Sequence, residues 1–154
     1  MKAGELCVRS VVTATADESV VDVARRMAEL RVGDLIVVER RPTDRPRPIG
    51  IVTDHDLVVR VLTRADRAPA TTTVAEVMQT ELVTATEDED VERIVSRMRD
   101  HAIRRIPIVD HCGRLQGMLS LDDVLGWMRE QIEAVSKLIE RHGTGPWPSS
   151  PRRR

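Results

Sequence analysis

Apolar residues recur along this chain at helical spacing, then in short continuous runs, and the alternation between the two happens twice. Val20, Val23, Ala24, Met27 and Leu30 lie three and four residues apart, which predicts a helix with one apolar face. Val91, Ile94, Val95, Met98 and Ala102 repeat that spacing. Acidic residues crowd both starts, Asp17 and Glu18 before the first and Asp88, Glu89 and Asp90 before the second, where a helix dipole favours negative charge. A short extended segment precedes each helix, at residues 11–15 and 82–86. A run that reads as a buried strand follows each, at 35–39 and 106–110. Next comes a turn, Asp110-His111-Cys112-Gly113 in the second case, and a second strand leading straight into a second helix. The final helix is the longest. Val124, Leu125, Met128, Ile132, Val135, Leu138 and Ile139 keep its spacing over residues 122–141, about 30 Å at 1.5 Å per residue. Gly143 is expected to end it, and residues 143–154, rich in Pro, Ser and Arg, are expected to form a disordered tail.

This recurrence is an internal duplication. VVTATADESVVDVARRM at 11–27 and LVTATEDEDVERIVSRM at 82–98 share 9 of 17 positions at an offset of 71. The offset also aligns residues 3–7 with 74–78 and 35–38 with 106–109. It falls to 67 where Gly50-Ile51-Val52-Thr53 meets Gly117-Met118-Leu119-Ser120. The four extra residues lie within 40–48, which holds three prolines and reads as a surface loop. The expected organisation is a first unit at 1–63, a linker at 64–73, a second unit at 74–128, a helical extension at 129–142 and a tail at 143–154. Each unit, about 60 residues, is too short to bury a strong core alone.

Composition narrows the functional classes. With 41% hydrophobic and 32% charged residues among 154, the chain has the balance of a globular domain. There is no Phe or Tyr, and Trp127 and Trp147 are the only aromatics, so stacking platforms for single-stranded nucleic acid are nearly excluded. A formal net charge of −1 argues against general affinity for DNA or an anionic membrane. No apolar run approaches the roughly 18–20 residues that cross a bilayer, and residues 1–13 lack a signal-peptide stretch, so a cytoplasmic location is expected. Cys7 and Cys112 are far apart and suit free thiols in a reducing compartment.

Chemistry concentrates where the second strand of each unit becomes a helix. Gly50-Ile51-Val52-Thr53-Asp54-His55-Asp56 and Gly117-Met118-Leu119-Ser120-Leu121-Asp122-Asp123 both fit Gly, two apolar residues, Thr or Ser, two residues, Asp. A hydroxyl at a helix start, beside free backbone N–H groups, can cradle phosphate. An Asp three residues later faces the same side and can accept hydrogen bonds from a sugar diol. The competing reading is a capping box, in which these side chains satisfy only the helix start.

Duplication, motif and order together resemble a pair of CBS domains over roughly residues 1–130. The specific matches are Ile49 to Leu57, Arg105-Ile106-Pro107-Ile108-Val109-Asp110, and Gly117 to Val124. The resemblance implies an α+β fold of two βαββα units packed sheet on sheet about a pseudo-twofold axis, with two clefts between them and the long helix appended. It implies an adenosine ligand such as AMP, ADP, ATP or S-adenosylmethionine rather than a catalytic cofactor. Asp56 and Asp123 would hold ribose hydroxyls, with Thr53 and Ser120 at the ribose or phosphate end. Ser120 and Asp123 would face Val12, Val32 and Gly33; Thr53 and Asp56 would face Val83, Ile103 and Arg104. The second unit carries Arg104 and Arg105 where the first has Gly33 and Asp34. Arginine suits phosphate, so unequal clefts are expected, with phosphate charge near Arg104 and Arg105. The alternative for both arginines is a solvated charged edge.

His55 could face a phosphate or simply sit on a helix surface. His101, His111 and His142, with the two cysteines, show no metal-ligand spacing, and no catalytic or nucleotide-loop fingerprint is present. Met27, Met98 and Met128 are expected in the core. Arg152–Arg154 supply too little for nucleic-acid specificity. The length of the last helix predicts that it packs on a second copy as a homodimer. The reading is a regulatory ligand sensor, not an enzyme, acting on a separate partner because the units and final helix use up the chain. The rival is a CBS dimer that binds no ligand and serves structure or protein interaction.

Overall fold

The computed structural model describes residues 1–39 and 46–141, without the side chains of residues 140 and 141. Residues 40–45 of the expected insertion loop, His142, the expected helix stop at Gly143 and the expected tail lie outside the described residues.

Each half builds one three-stranded sheet of the same design. The first half runs β1 (Thr13–Thr15), α2 (Val20–Leu30), β2 (Asp34–Val38), β3 (Pro48–Thr53) and α3 (Asp54–Leu57), preceded by the short α1 (Ala3–Leu6). The second runs β4 (Ala85–Thr86), α4 (Val91–Asp100), β5 (Arg105–Val109), β6 (Leu115–Ser120) and α5 (Leu121–Arg141). In each sheet the central strand pairs in parallel with the strand before its helix and antiparallel with the strand after. Both central strands are almost fully buried, as their continuous apolar runs require. The α+β architecture of paired βαββα units follows the sequence expectation, with one local difference. The first unit's closing helix is only Asp54–Leu57, continued by a π-helical turn at Val58–Leu62.

The helices start and stop for local reasons. Ser19 caps α2 by accepting the Asp22 N–H at 3.1 Å. Arg31 and Ala102, one at the same place in each repeat, leave the helix region with φ of 54° and 53°. The buried stripes are narrower than the periodicity suggests. Val20, Val23 and Met27 are buried, as are Val91, Ile94 and Met98, whereas Ala24, Leu30 and Ala102 are exposed. An acid ahead of each helix is tied back in matching fashion. Glu18 accepts from the Thr15 N–H (2.7 Å) and Arg26 (2.5 Å), and Glu89 from the Thr86 N–H (2.8 Å) and Arg97 (2.6 Å).

The halves exchange their leading segments. Ala3 and Cys7 belong to the core built from Ile94, Ile106, Ile108 and Leu119 of the second half. Val74 and Val77 belong to the core built from Val23, Leu35, Val37 and Val52 of the first. Val8 pairs with Met118 through bonds of 2.9 Å in both directions, and Gln79 with Ile51 through bonds of 2.8 and 3.0 Å. The expected linker also lies against the first unit, its Thr72 carbonyl accepting the Val20 N–H at 3.1 Å. A third cluster, Ile36, Val38 and Leu115 flanked by Val11, Ile51 and Met118, joins the two sheets.

Candidate functional site

Among the described residues, two repeat-related hollows open between the halves beside the motif helices. The larger, about 880 Å³, is walled by Gly33, Thr53, Asp54 and Gln79 with Val83, Ile103, Arg104 and Arg105. Its repeat-related counterpart, about 180 Å³, is walled by Val12, Val32, Asp34 and Val8 with Arg105, Met118, Ser120 and Asp123. The structure therefore brings Thr53 together with Val83, Ile103 and Arg104, and Ser120 and Asp123 together with Val12 and Val32. Gly33 differs from expectation: it lines the larger hollow, not the one with Ser120 and Asp123. The reason lies in its backbone, because the Gly33 carbonyl accepts the Asp54 N–H at 2.9 Å and so stays beside α3. Arg104, its repeat counterpart, accepts the Leu121 N–H at the same distance.

Both Asp residues of the repeated motif close a reciprocal cap. Asp56 Oδ2 accepts from the Thr53 N–H at 3.0 Å and hydroxyl at 2.7 Å. Asp123 Oδ2 accepts from the Ser120 N–H at 2.8 Å and hydroxyl at 2.5 Å. The capping geometry is thus present in each half. Their surroundings differ. Asp123 is half-buried and lines the smaller hollow. Asp56 is 3% exposed and does not line the larger one. Gln79 donates to both of its oxygens at 3.0 Å, and Arg60 lies 3.4 Å away. In this structure the oxygens of Asp56 accept from Thr53 and Gln79 and lie beside Arg60, so a diol would have to displace one of these partners.

Arg105 is likewise committed. It is ion-paired with Asp34, its equivalent in the other repeat, and the pair borders both hollows. Burial pushes the Asp34 carboxyl above the ordinary aspartate range; Arg105 draws it back and Asp54 raises it further. Arg104 is exposed on the wall of the larger hollow and has no carboxylate partner among the described residues. His55 is also exposed on that wall, beside Asp54 and Glu81. Gln79 escaped sequence reasoning because it is 23 residues from Asp56 and belongs to an exchanged segment. The signal was its alignment with Val8 at the offset of 71, a polar residue against an apolar one. Among the described residues no cluster of three His, Cys, Asp or Glu could hold a metal ion, and no helix is long and apolar enough to cross a membrane. Met128, expected in the core, is 47% exposed on α5, while Met27 and Met98 are buried.

Comparison with known proteins adds to this geometry. The family profile described as CBS domain matches residues 3–63 and 74–130. An uncharacterized protein of Methanopyrus kandleri is 34% identical over 79% of this chain, which spans 60% of that protein's length. A solved protein with CBS domains from Burkholderia ambifaria is 28% identical, covering 78% of this chain and 83% of its own, with a TM-score of 0.67. The CBS domain pair of protein MJ0100, solved with 5′-methylthioadenosine and S-adenosylmethionine, superposes with a TM-score of 0.71 at 21% identity, over 85% of this chain and 98% of its own.

Proposed function

The chain belongs to the CBS-domain family, and from that premise we propose that it is a regulatory module whose larger inter-repeat hollow takes an adenosine nucleotide. The observation that carries the reading is Arg104, a guanidinium with no carboxylate partner among the described residues, on the wall of a hollow of about 880 Å³ built by both halves. Guanidinium matches the oxygens of a phosphate bidentately. Val83, Ile103 and Leu82 supply apolar wall for a base. The same fold holds adenosine ligands in protein MJ0100, which supports the ligand class AMP, ADP, ATP or S-adenosylmethionine. The reading contains no catalytic step. Ligand would tighten the halves, and a tighter pair would alter what a separate effector, or a second copy of the chain, contacts.

Titration calorimetry with AMP, ADP, ATP and S-adenosylmethionine tests the assignment. A phosphate-bearing ligand should bind, and Arg104→Ala should weaken it about tenfold or more, the scale of one charge-assisted hydrogen bond. Arg105→Ala should weaken it less, because Arg105 already holds Asp34. Equal affinity in wild type and Arg104→Ala would remove the phosphate assignment. A second reading, a CBS dimer that takes no ligand, is favoured by the occupied state of Asp56. Absence of binding by every one of these ligands would select it.

A further inference from the structure

We infer that Gln79 is an internal competitor for ligand in the larger hollow: its side-chain amide stands in for a ligand's vicinal hydroxyls on Asp56, so that diol-bearing ligands engage only by displacing it. This rests on the nucleotide-binding reading above. The two motif carboxylates offer an internal control. Asp56 and Asp123 make the same bonds to Thr53 and Ser120. The residues beside them are held by the same backbone pairing, Gln79 to Ile51 and Val8 to Met118. The two segment residues differ in side chain, and Asp56 is also more deeply buried and lies 3.4 Å from Arg60. Gln79 donates to both oxygens of Asp56 at 3.0 Å, whereas Val8 has nothing to donate to Asp123. Gln79 and Thr53 line the hollow and Asp56 does not, so an entering ligand meets the amide first.

The backbone of Gln79 stays pinned while its side chain rotates about its own bonds. Released, Asp56 keeps its bonds to Thr53 and its contact with Arg60, and the two hydroxyls take the places on its oxygens that the amide held. A ligand lacking one hydroxyl leaves a buried carboxylate short of a donor, the expensive case for a buried charge. The amide thus sets a threshold that a ribonucleotide passes and a deoxynucleotide does not. The smaller hollow has no such threshold.

The test compares AMP with 2′-deoxyadenosine 5′-monophosphate by calorimetry in the full chain, in wild type and Gln79→Val, the residue its repeat counterpart carries. Each is also measured with Asp123→Ala added, which removes the diol acceptor of the smaller hollow. Gln79→Val should bind AMP about tenfold tighter or more and deoxy-AMP tighter by a clearly smaller factor, because its single hydroxyl regains only part of what the open Asp56 offers. Gln79→Met keeps the length without the amide and should behave alike if Gln79→Val folds poorly. Equal gains for both ligands would mean that the substitution merely widens the hollow, and would overturn the inference. So would wild-type binding of AMP that neither substitution changes, although nucleotide binding itself would stand. No binding of AMP by wild type or variants would overturn both.

Discussion

Gly50 and Gly117 show how one missing side chain serves a whole half. A Cβ on Gly117 would lie 2.8 Å from the Val8 carbonyl oxygen and 2.8 Å from Cys7 Sγ; one on Gly50 would lie 2.7 Å from the Gln79 carbonyl oxygen. The exchanged segments run against these strands too closely for any other residue. Gly117→Ala should therefore destabilise the fold by about 1–3 kcal/mol in denaturant titration, since backbone must shift to admit the methyl group. An unchanged midpoint would show that the segment adjusts freely. Asp34 carries a prediction about pH. Its folded-state carboxyl titrates above the ordinary 3.8 because of burial, so in the window just above 3.8 the folded chain holds a proton that the unfolded chain has released. Its contribution to stability is then largest at low pH and falls as pH rises through that window. The stability of wild type minus that of Asp34→Asn should decline across the same range. A flat or rising difference would contradict the assignment. The Gly-led motif was legible from sequence, and so was its role at the helix start. The occupied state of Asp56 was not, because its partner Gln79 arrives from another part of the chain.

Periodicity located every long element, since a helix or strand buried on one side leaves its spacing in the sequence. It could not say which apolar residues end up covered. Leu30 keeps the spacing of α2 yet is 53% exposed, because Arg31 turns the chain away at that point. The same limit is sharpest in α5. Val124 is buried, but Leu125, Met128, Ile132, Val135 and Ile139 are 47–66% exposed at alternating steps of three and four residues. All residues from 128 to 139 are exposed, so this stretch of the helix projects from the described core. A single uncovered helix of that length is marginal alone in water. The alternating step is the pattern of two helices wound together. The expected homodimer would bury this stripe. Light scattering at micromolar concentration should give about twice the 17.3 kDa chain mass. Ile132→Glu together with Val135→Glu should return it to one chain mass, because two charges would then sit in the seam. A wild-type chain that scatters as a monomer would dispose of the dimer.

At the scale of the whole molecule, the duplication in the sequence announces two equal units, and the structure makes them interdependent and unequal. Equality survives in the sheets, the glutamate–arginine ties and the capped motifs. Inequality enters through a few substitutions at matching positions: Asp34 against Arg105, Gly33 against Arg104, Val8 against Gln79. All three pairs border the hollows, and the last also decides whether a motif carboxylate is open. An alignment of repeats reveals such pairs but not what each faces, because the leading segments trade places. That trade also orders the chain's assembly in time. Met118 lies 110 residues beyond Val8, its pairing partner. Synthesis runs from the N-terminal side, so Val8 has no pairing partner until the strand that carries Met118 has been made. Residues 3–8 therefore dock only after a loop of that length closes, and loop closure must precede the contacts that reward it.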